Sequence, residues 1–248
     1  MARDTVLEMS GLTVNFGALV AVSNMELAVE RGRITSVIGP NGAGKSTLFN
    51  LISGNLRPTA GQVLLEGHRI TGRQVNEICR LGLGRSFQIT NLFFDLSVRQ
   101  NLLVAAQVLE PWQRLLRSPR LSERAAARAE TLLAQFGLES KADELVGHLS
   151  HGEQRRLEIA VSLAAGPKLL LLDEPTQGMA HEDTLETTQL IRRLAGDITI
   201  LLIEHDVGLV MDISDHVVVM HLGEKLAEGS PADIRANERV LDAYLGRG

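Results

Sequence analysis

The chain has 248 residues, 44% of them hydrophobic and 22% charged, so a sizeable buried core is possible and wholesale disorder is excluded. Lys and Arg number 25 against 30 Asp and Glu, a net charge of −5, and sequence-independent nucleic-acid binding needs a concentrated positive face that such a balance does not favour. The one cysteine, Cys79, supplies neither an intrachain disulfide nor a multi-Cys zinc site, which suits a reducing compartment.

Taken in chain order, charges interrupt the amino terminus at once, so no signal peptide is expected. Val6–Val14 reads as an edge strand. Met25, Leu27 and Val29 alternate with polar or small residues, the period of a half-buried strand. After the Arg31-Gly32 turn, Ile34–Ile38 reads as a buried strand, and Ser46–Ser53 as a helix. Val63–Leu65 is a further short strand. From about Asn91 to Gly147 no strand is expected; Val98–Val108 and Ser122–Phe136 read as helices, the second capped by Ser122. Leu169–Leu172, Ile198–Ile203 and Val217–Met220 are continuous apolar runs of buried-strand length. No run approaches the ~18 residues of a membrane span. Alternating strands and helices predict an α/β fold with a largely parallel sheet and an all-helical insertion.

Two motifs carry chemistry. Gly39-Pro40-Asn41-Gly42-Ala43-Gly44-Lys45-Ser46-Thr47 fits G-x-x-x-x-G-K-[ST], with a strand before it and a helix after it. Glycines let backbone N–H groups approach phosphate oxygens, and the following helix points its positive end at the same anion. Lys45 is placed to reach the β- and γ-phosphates of ATP, and the Ser46 hydroxyl to ligate Mg²⁺. Leu169–Leu172 then delivers Asp173 and Glu174 to the carboxyl end of a buried strand, where α/β sheets bind ligands. Asp173 is expected to hold Mg²⁺, directly or through water, and Glu174 to take a proton from the attacking water.

Leu149-Ser150-His151-Gly152-Glu153-Gln154 resembles the L-S-G-G-Q signature of ABC-transporter ATPases and stands in that family's place, just upstream of Asp173-Glu174. Ser150, Gly152 and Glu153 start an expected helix, Glu153–Ala165. The resemblance covers essentially the whole chain. It implies a P-loop NTPase (RecA-like) core over residues 1–90 and 148–248, an antiparallel β edge subdomain, and a helical subdomain over 91–147. It further implies that Phe16 stacks on adenine. Gln88 would join core to helical lobe, sense Mg²⁺ and the attacking water, and His205 would contact the γ-phosphate. His68, His148, His181, His216 and His221 are expected to be surface or core residues.

In such ATPases two subunits pair head to tail, each ATP lying between the phosphate loop of one and the signature of the other. The resemblance therefore implies a second ABC ATPase subunit, integral membrane permeases, a periplasmic or extracellular binding protein, and a place on the cytoplasmic face of the inner membrane. Two positions depart from the pattern: His151 replaces a glycine, and Ala180 stands where many members carry an Asp that communicates across the dimer. Gly84-Arg85-Ser86-Phe87-Gln88, the Trp112–Leu121 stretch, Leu157-Glu158-Ile159 and Ala243-Tyr244-Leu245-Gly246 resemble the branched-chain amino-acid uptake ATPases. Urea or short-amide import and lipopolysaccharide-type export are the alternatives. The surface near Asn91–Arg99 and Glu110–Leu121, with Phe93, Phe94 and Trp112, is expected to meet the membrane subunit.

Overall fold

The computed structural model describes residues 4–86, 92–107 and 122–245. Two sheets organise it. A four-stranded antiparallel sheet has the order β2-β1-β4-β5, from β1 (Thr5–Phe16), β2 (Leu19–Glu30), β4 (Ala60–Leu65) and β5 (His68–Arg69). A six-stranded sheet has the order β10-β9-β3-β8-β7-β6, from β3 (Ile34–Ile38), β6 (Leu83–Arg85), β7 (Leu169–Asp173), β8 (Thr199–Ile203), β9 (His216–His221) and β10 (Glu224–Gly229). All its neighbours run parallel except β10, which pairs antiparallel with β9.

The burial patterns follow from the sequence. Every residue of β3, β7 and β8 is buried, as covered parallel strands require. In β1 the alternation Leu7, Met9 in and Glu8, Ser10 out marks a sheet with one wet face. That alternation reports which face is wet and says nothing about neighbours: β1 lies between β2 and β4, so it is not the edge strand its sequence suggested.

Helices cover the parallel sheet. Those that matter to the site are α1 (Lys45–Ile52), α2 (Val75–Arg80), α5 (His151–Leu163) and α6 (His181–Leu194). Between residues 92 and 148 the described chain holds α3 (Val98–Ala106), α4 (Glu123–Phe136), two short 3₁₀ turns and a single isolated bridge, Ser97 to Leu145. Ser97 and Gln100 form a reciprocal capping box on α3; Ser122 caps α4, which ends on a left-handed Gly137. Leu102, Ala129, Leu132 and Phe136 are buried in one continuous core with Leu157 of α5 and Leu170 and Leu172 of β7. The helical stretch thus leans on the sheet's underside through α5. After β8 come α7 (Val207–Ile213), then α8 (Pro231–Arg235) and α9 (Glu238–Leu245). Helix α5 starts from Ser150, as expected, and runs two residues earlier at both ends than the expected Glu153–Ala165.

Candidate active site

The parallel register brings three strand ends level. Val37 of β3 and Asp173 of β7 both face Ile203 of β8. The residues that follow, Gly39, Glu174 and His205, therefore emerge at one end of the sheet, where parallel α/β sheets place ligands. A cleft of about 570 Å³ opens there, lined by Phe16, Asn41 to Thr47, Glu174 and His205.

Neighbouring strands fasten the glycine loop. Gly223, in the β9–β10 turn, donates its N–H to the Ala43 carbonyl (3.0 Å), and Ser23 donates to the Gly223 carbonyl (2.9 Å). Gly44 has φ +97°, and a Cβ there would lie 2.5 Å from the Ala21 carbonyl oxygen, so only glycine fits. Gly44 is the residue before α1, and no side chain caps that helix among the described residues. Its first N–H groups stay available, the arrangement that receives anions. Lys45 is buried, and its Nζ donates to the carbonyls of Gly39 (2.7 Å) and Pro40 (3.1 Å). Burial pushes its pKa down, against the pull of the Glu174 and Asp173 carboxylates. Gly39 and Pro40 thus hold the lysine and do not line the cleft.

Asp173 is 1% exposed and lies behind the cleft wall. Arg85 donates to its Oδ2 (3.2 Å), while Oδ1 is buried without a hydrogen-bond partner among the described residues. Burial raises the pKa of Asp173, and the Arg85 guanidinium opposes that rise. Glu174 faces the cleft, 5% exposed, with its Oε1 against Nε2 of His205. Glu174 has φ +49°, a strained conformation for a glutamate. Arg155 of α5 holds it there, donating to the carbonyls of Asp173 (3.0 Å), Glu174 (2.9 Å) and Pro175 (2.9 Å), and to the Glu158 carboxylate (2.6 Å).

Three of these residues were missed in the sequence. Arg85 and Arg155 carry no local signal, because their partners are distant in the chain. Glu204 had one: like Asp173, it is an acid directly after a buried apolar run. It is 3% exposed and accepts from Thr176 N–H (3.0 Å), Thr176 Oγ1 (2.7 Å) and the His205 N–H (3.1 Å), so it fixes both flanks of the Glu174–His205 pair.

The expected residues divide. Phe16, 51% exposed at the end of β1, shares the cleft with Lys45, Ser46, Thr47, Glu174 and His205. Ser150, Gly152 and Glu153 do not line it. They start α5, where Ser150 accepts from Glu153 N–H (3.2 Å) and its own N–H donates to the Glu153 carboxylate (2.8 Å). That bond holds the Glu153 carboxyl below its usual pKa. A Cβ at Gly152 would sit 2.5 Å from Asp183 Oδ1, so α5 and α6 approach closely there. His151 is exposed in the first helical turn with an ordinary backbone, so its Cβ is accommodated. Ala180 precedes α6, which has no side-chain cap among the described residues. Gln88 and Trp112 lie outside the described residues, whereas Phe93 and Phe94 are exposed. Of the histidines given no role, His68, His148 and His181 are exposed, and His216 and His221 half-buried.

Comparison with known proteins places this geometry. The family described as "ABC transporter" matches residues 22–177, and "Branched-chain amino acid ATP-binding cassette transporter" matches residues 224–248. The high-affinity branched-chain amino acid transport ATP-binding protein BraF of Pseudomonas aeruginosa is 43% identical, covering 97% of this chain and 98% of its own. Among solved structures, the ADP conformation of MJ1267, an ATP-binding cassette of an ABC transporter, superposes with a TM-score of 0.85 at 29% identity, covering 98% of this chain and 99% of that one. A dimeric post-hydrolysis state of the cassette MJ0796, bound to ADP and Pi, superposes with 0.76 at 25% identity, covering 91% and 98%. The lysine-bearing loop, the strand-end acids and these matches agree: the chain belongs to the ATP-binding cassette family of ABC transporters, the ATPases that couple ATP hydrolysis to transport.

Proposed function

We propose that this chain is the energising subunit of an importer for branched-chain or related amino acids, and that it binds and hydrolyses ATP in the cleft at the carboxyl end of the parallel sheet. The observation that carries the reading is the convergence there of an uncapped, lysine-bearing helix start with the Glu174–His205 pair. The cargo class rests on the match of residues 224–248 and on the likeness to BraF.

Each residue then has a task. Phe16 offers its exposed ring to adenine. The backbone of Gly39, Pro40 and Ala43 shapes the loop, and the N–H groups of Asn41, Gly42, Gly44, Lys45, Ser46 and Thr47 receive the phosphates. Lys45 exchanges the Gly39 and Pro40 carbonyls for β- and γ-phosphate oxygens. The residues fit a divalent cation: Asp173 keeps one buried carboxylate oxygen without a hydrogen-bond partner among the described residues, and Ser46 lines the adjoining cleft. Ser46 and Asp173, with Gln88, would hold Mg²⁺, which supplies neutralisation of phosphate charge when bound. Glu174 takes a proton from the attacking water, and His205, oriented by Glu204, stabilises the γ-phosphate. Such proton transfer typically contributes ~10²–10⁴-fold.

Ser150, Gly152 and Glu153 lie away from the cleft of their own chain. We assign them to the ATP of a second copy or homologous subunit, paired head to tail. The division into a core (1–90 and 148–248) and a helical subdomain (91–147) belongs to the same proposal, as does docking on permeases at the cytoplasmic face of the membrane with a binding protein outside. No helix among the described residues is long and apolar enough to cross a membrane, so this docking is borrowed from a partner. The test is a tagged pull-down from solubilised membranes. Multi-span permeases together with a substrate-binding protein that takes up leucine or isoleucine are expected; recovery of lipopolysaccharide-export subunits instead would overturn the cargo and direction, leaving the ATPase assignment standing.

A further inference from the structure

Arg85, at the end of β6, is used by none of the steps above. Its side chain is only 10% exposed, and it bridges two elements, α1 and β7. Nη1 donates to Asn50 Oδ1 (2.9 Å) and Ser53 Oγ (2.6 Å), at the last turn of α1 and just after it. The guanidinium lies 5.9 Å from the Phe49 ring centroid. Nη2 donates to Asp173 Oδ2 (3.2 Å) on β7. An arginine recruited only to neutralise a buried carboxylate does so best with two parallel bonds to both oxygens. Here the fork is divided. One arm is tied to the helix that follows the phosphate loop; the other takes a single oxygen of Asp173 and leaves Oδ1 buried and without a hydrogen-bond partner among the described residues. An unsatisfied buried oxygen is costly and calls for a ligand.

We propose that Arg85 is a positioning residue for a divalent cation: tethered to α1, it clamps Asp173 through Oδ2 so that Oδ1 is presented to the metal at a fixed distance from Ser46. The α1 helix carries Ser46 at its start and the Arg85 tether at its end, so one rigid element sets both metal-facing groups. Lysine at position 85 retains the charge but not the fork, and cannot span α1 and β7 together. The proposal rests on the reading of Asp173 as a metal-facing residue.

The test measures metal binding apart from turnover. ADP affinity of the isolated chain is measured in EDTA, and Mn²⁺ binding to the protein–ADP complex is followed by loss of the free Mn²⁺ paramagnetic resonance signal. Arg85→Met is expected to weaken Mn²⁺ about tenfold or more, the usual effect of losing a partner behind a metal ligand. ADP affinity in EDTA should change less than about twofold, since the phosphate loop is untouched, and Arg85→Lys should recover part of the loss. A parallel weakening of ADP in EDTA would overturn the proposal, because Arg85 would then merely hold the fold. Asp173→Asn separates the two readings. If it weakens Mn²⁺ and Arg85→Met does not, the role of Arg85 is lost and the metal reading survives; if it leaves Mn²⁺ binding intact, both are lost. Should Arg85→Met not fold, Ser53→Ala cuts one tether without stranding a charge and should weaken Mn²⁺ about threefold, one hydrogen bond's worth; unchanged binding there overturns the proposal.

Discussion

Helices α1 and α5 both begin with sequences suited to meeting a phosphate, yet they are built in opposite ways. Helix α1 starts from a left-handed glycine with no side-chain cap, and its lysine rests on the loop's own carbonyls. Helix α5 starts from Ser150 locked to Glu153 in a complete capping box. The first is an open end held in place by neighbours, the Gly223 turn above all. The second is a finished end, already satisfied. At the open end only the lysine must exchange its loop carbonyls for a ligand and the helix start gives up no cap bond, whereas a finished end must surrender its cap bond if the Ser150 hydroxyl is to bind phosphate. In the paired reading, the phosphate loop captures nucleotide first and the signature engages later.

The largest effect expected from breaking this order is that of Glu174→Gln. It leaves capture intact and stops proton transfer, so turnover should fall by ~10²–10⁴-fold. ATP should then hold both ends together, giving an ATP-dependent dimer on gel filtration while the unaltered chain stays monomeric. A mutant that is inactive yet never dimerises would separate α5 from the nucleotide and break the comparison.

Lys45→Ala attacks the open end. If Lys45 serves the phosphates as proposed, removing its buried ammonium should cost about 1.5–3 kcal/mol, or roughly 10–150-fold in ATP affinity, measured at equilibrium. His151→Gly probes the finished end more gently. The imidazole is exposed and carries no cap bond, so ATPase activity should stay within about one order of magnitude, ~1.4 kcal/mol of barrier. Complete loss would assign the imidazole a phosphate contact.

Ser150→Ala removes the cap itself. Stability should drop by ~1 kcal/mol, seen as about 2–4 °C in thermal unfolding, with nucleotide affinity of the isolated chain unchanged. Helix α6 offers the smallest and reverse effect. Ala180 stands at its start, which has no side-chain cap among the described residues, and Glu182 and Asp183 supply favourable charge in the first turn. Ala180→Asp should gain up to about 1 kcal/mol in the same measurement. If stability does not rise, an Asp at this place is tuned for contact with another subunit and not for capping.

The sequence made some parts of this molecule plain. Runs such as Leu169–Leu172 and Ile198–Ile203 have no other home than a covered parallel strand, and the phosphate loop announces itself by spacing. The short β6, with Gly84 at its centre, and the half-exposed β10 carry too little apolar pattern to be seen. Helix α6 is polar over most of its length and buries only Thr187, Leu190, Ile191 and Leu194. Within the site, residues that would touch a ligand were legible because motif chemistry is local. Residues that hold those groups were not: Arg85 reaches Asp173 across 88 positions, and Thr176 finds Glu204 across 28.

The arginine on α5 has one more consequence. Arg155 binds three successive carbonyls, Asp173 through Pro175, which can turn toward one guanidinium only because Glu174 adopts its left-handed backbone. This strand end is therefore not a portable cassette of two acids. Grafted onto another parallel sheet without an arginine arriving from the facing helix, the same Asp-Glu pair would relax to an ordinary extended turn and aim its glutamate elsewhere. Designers transplanting this chemistry must move the helix along with the strand.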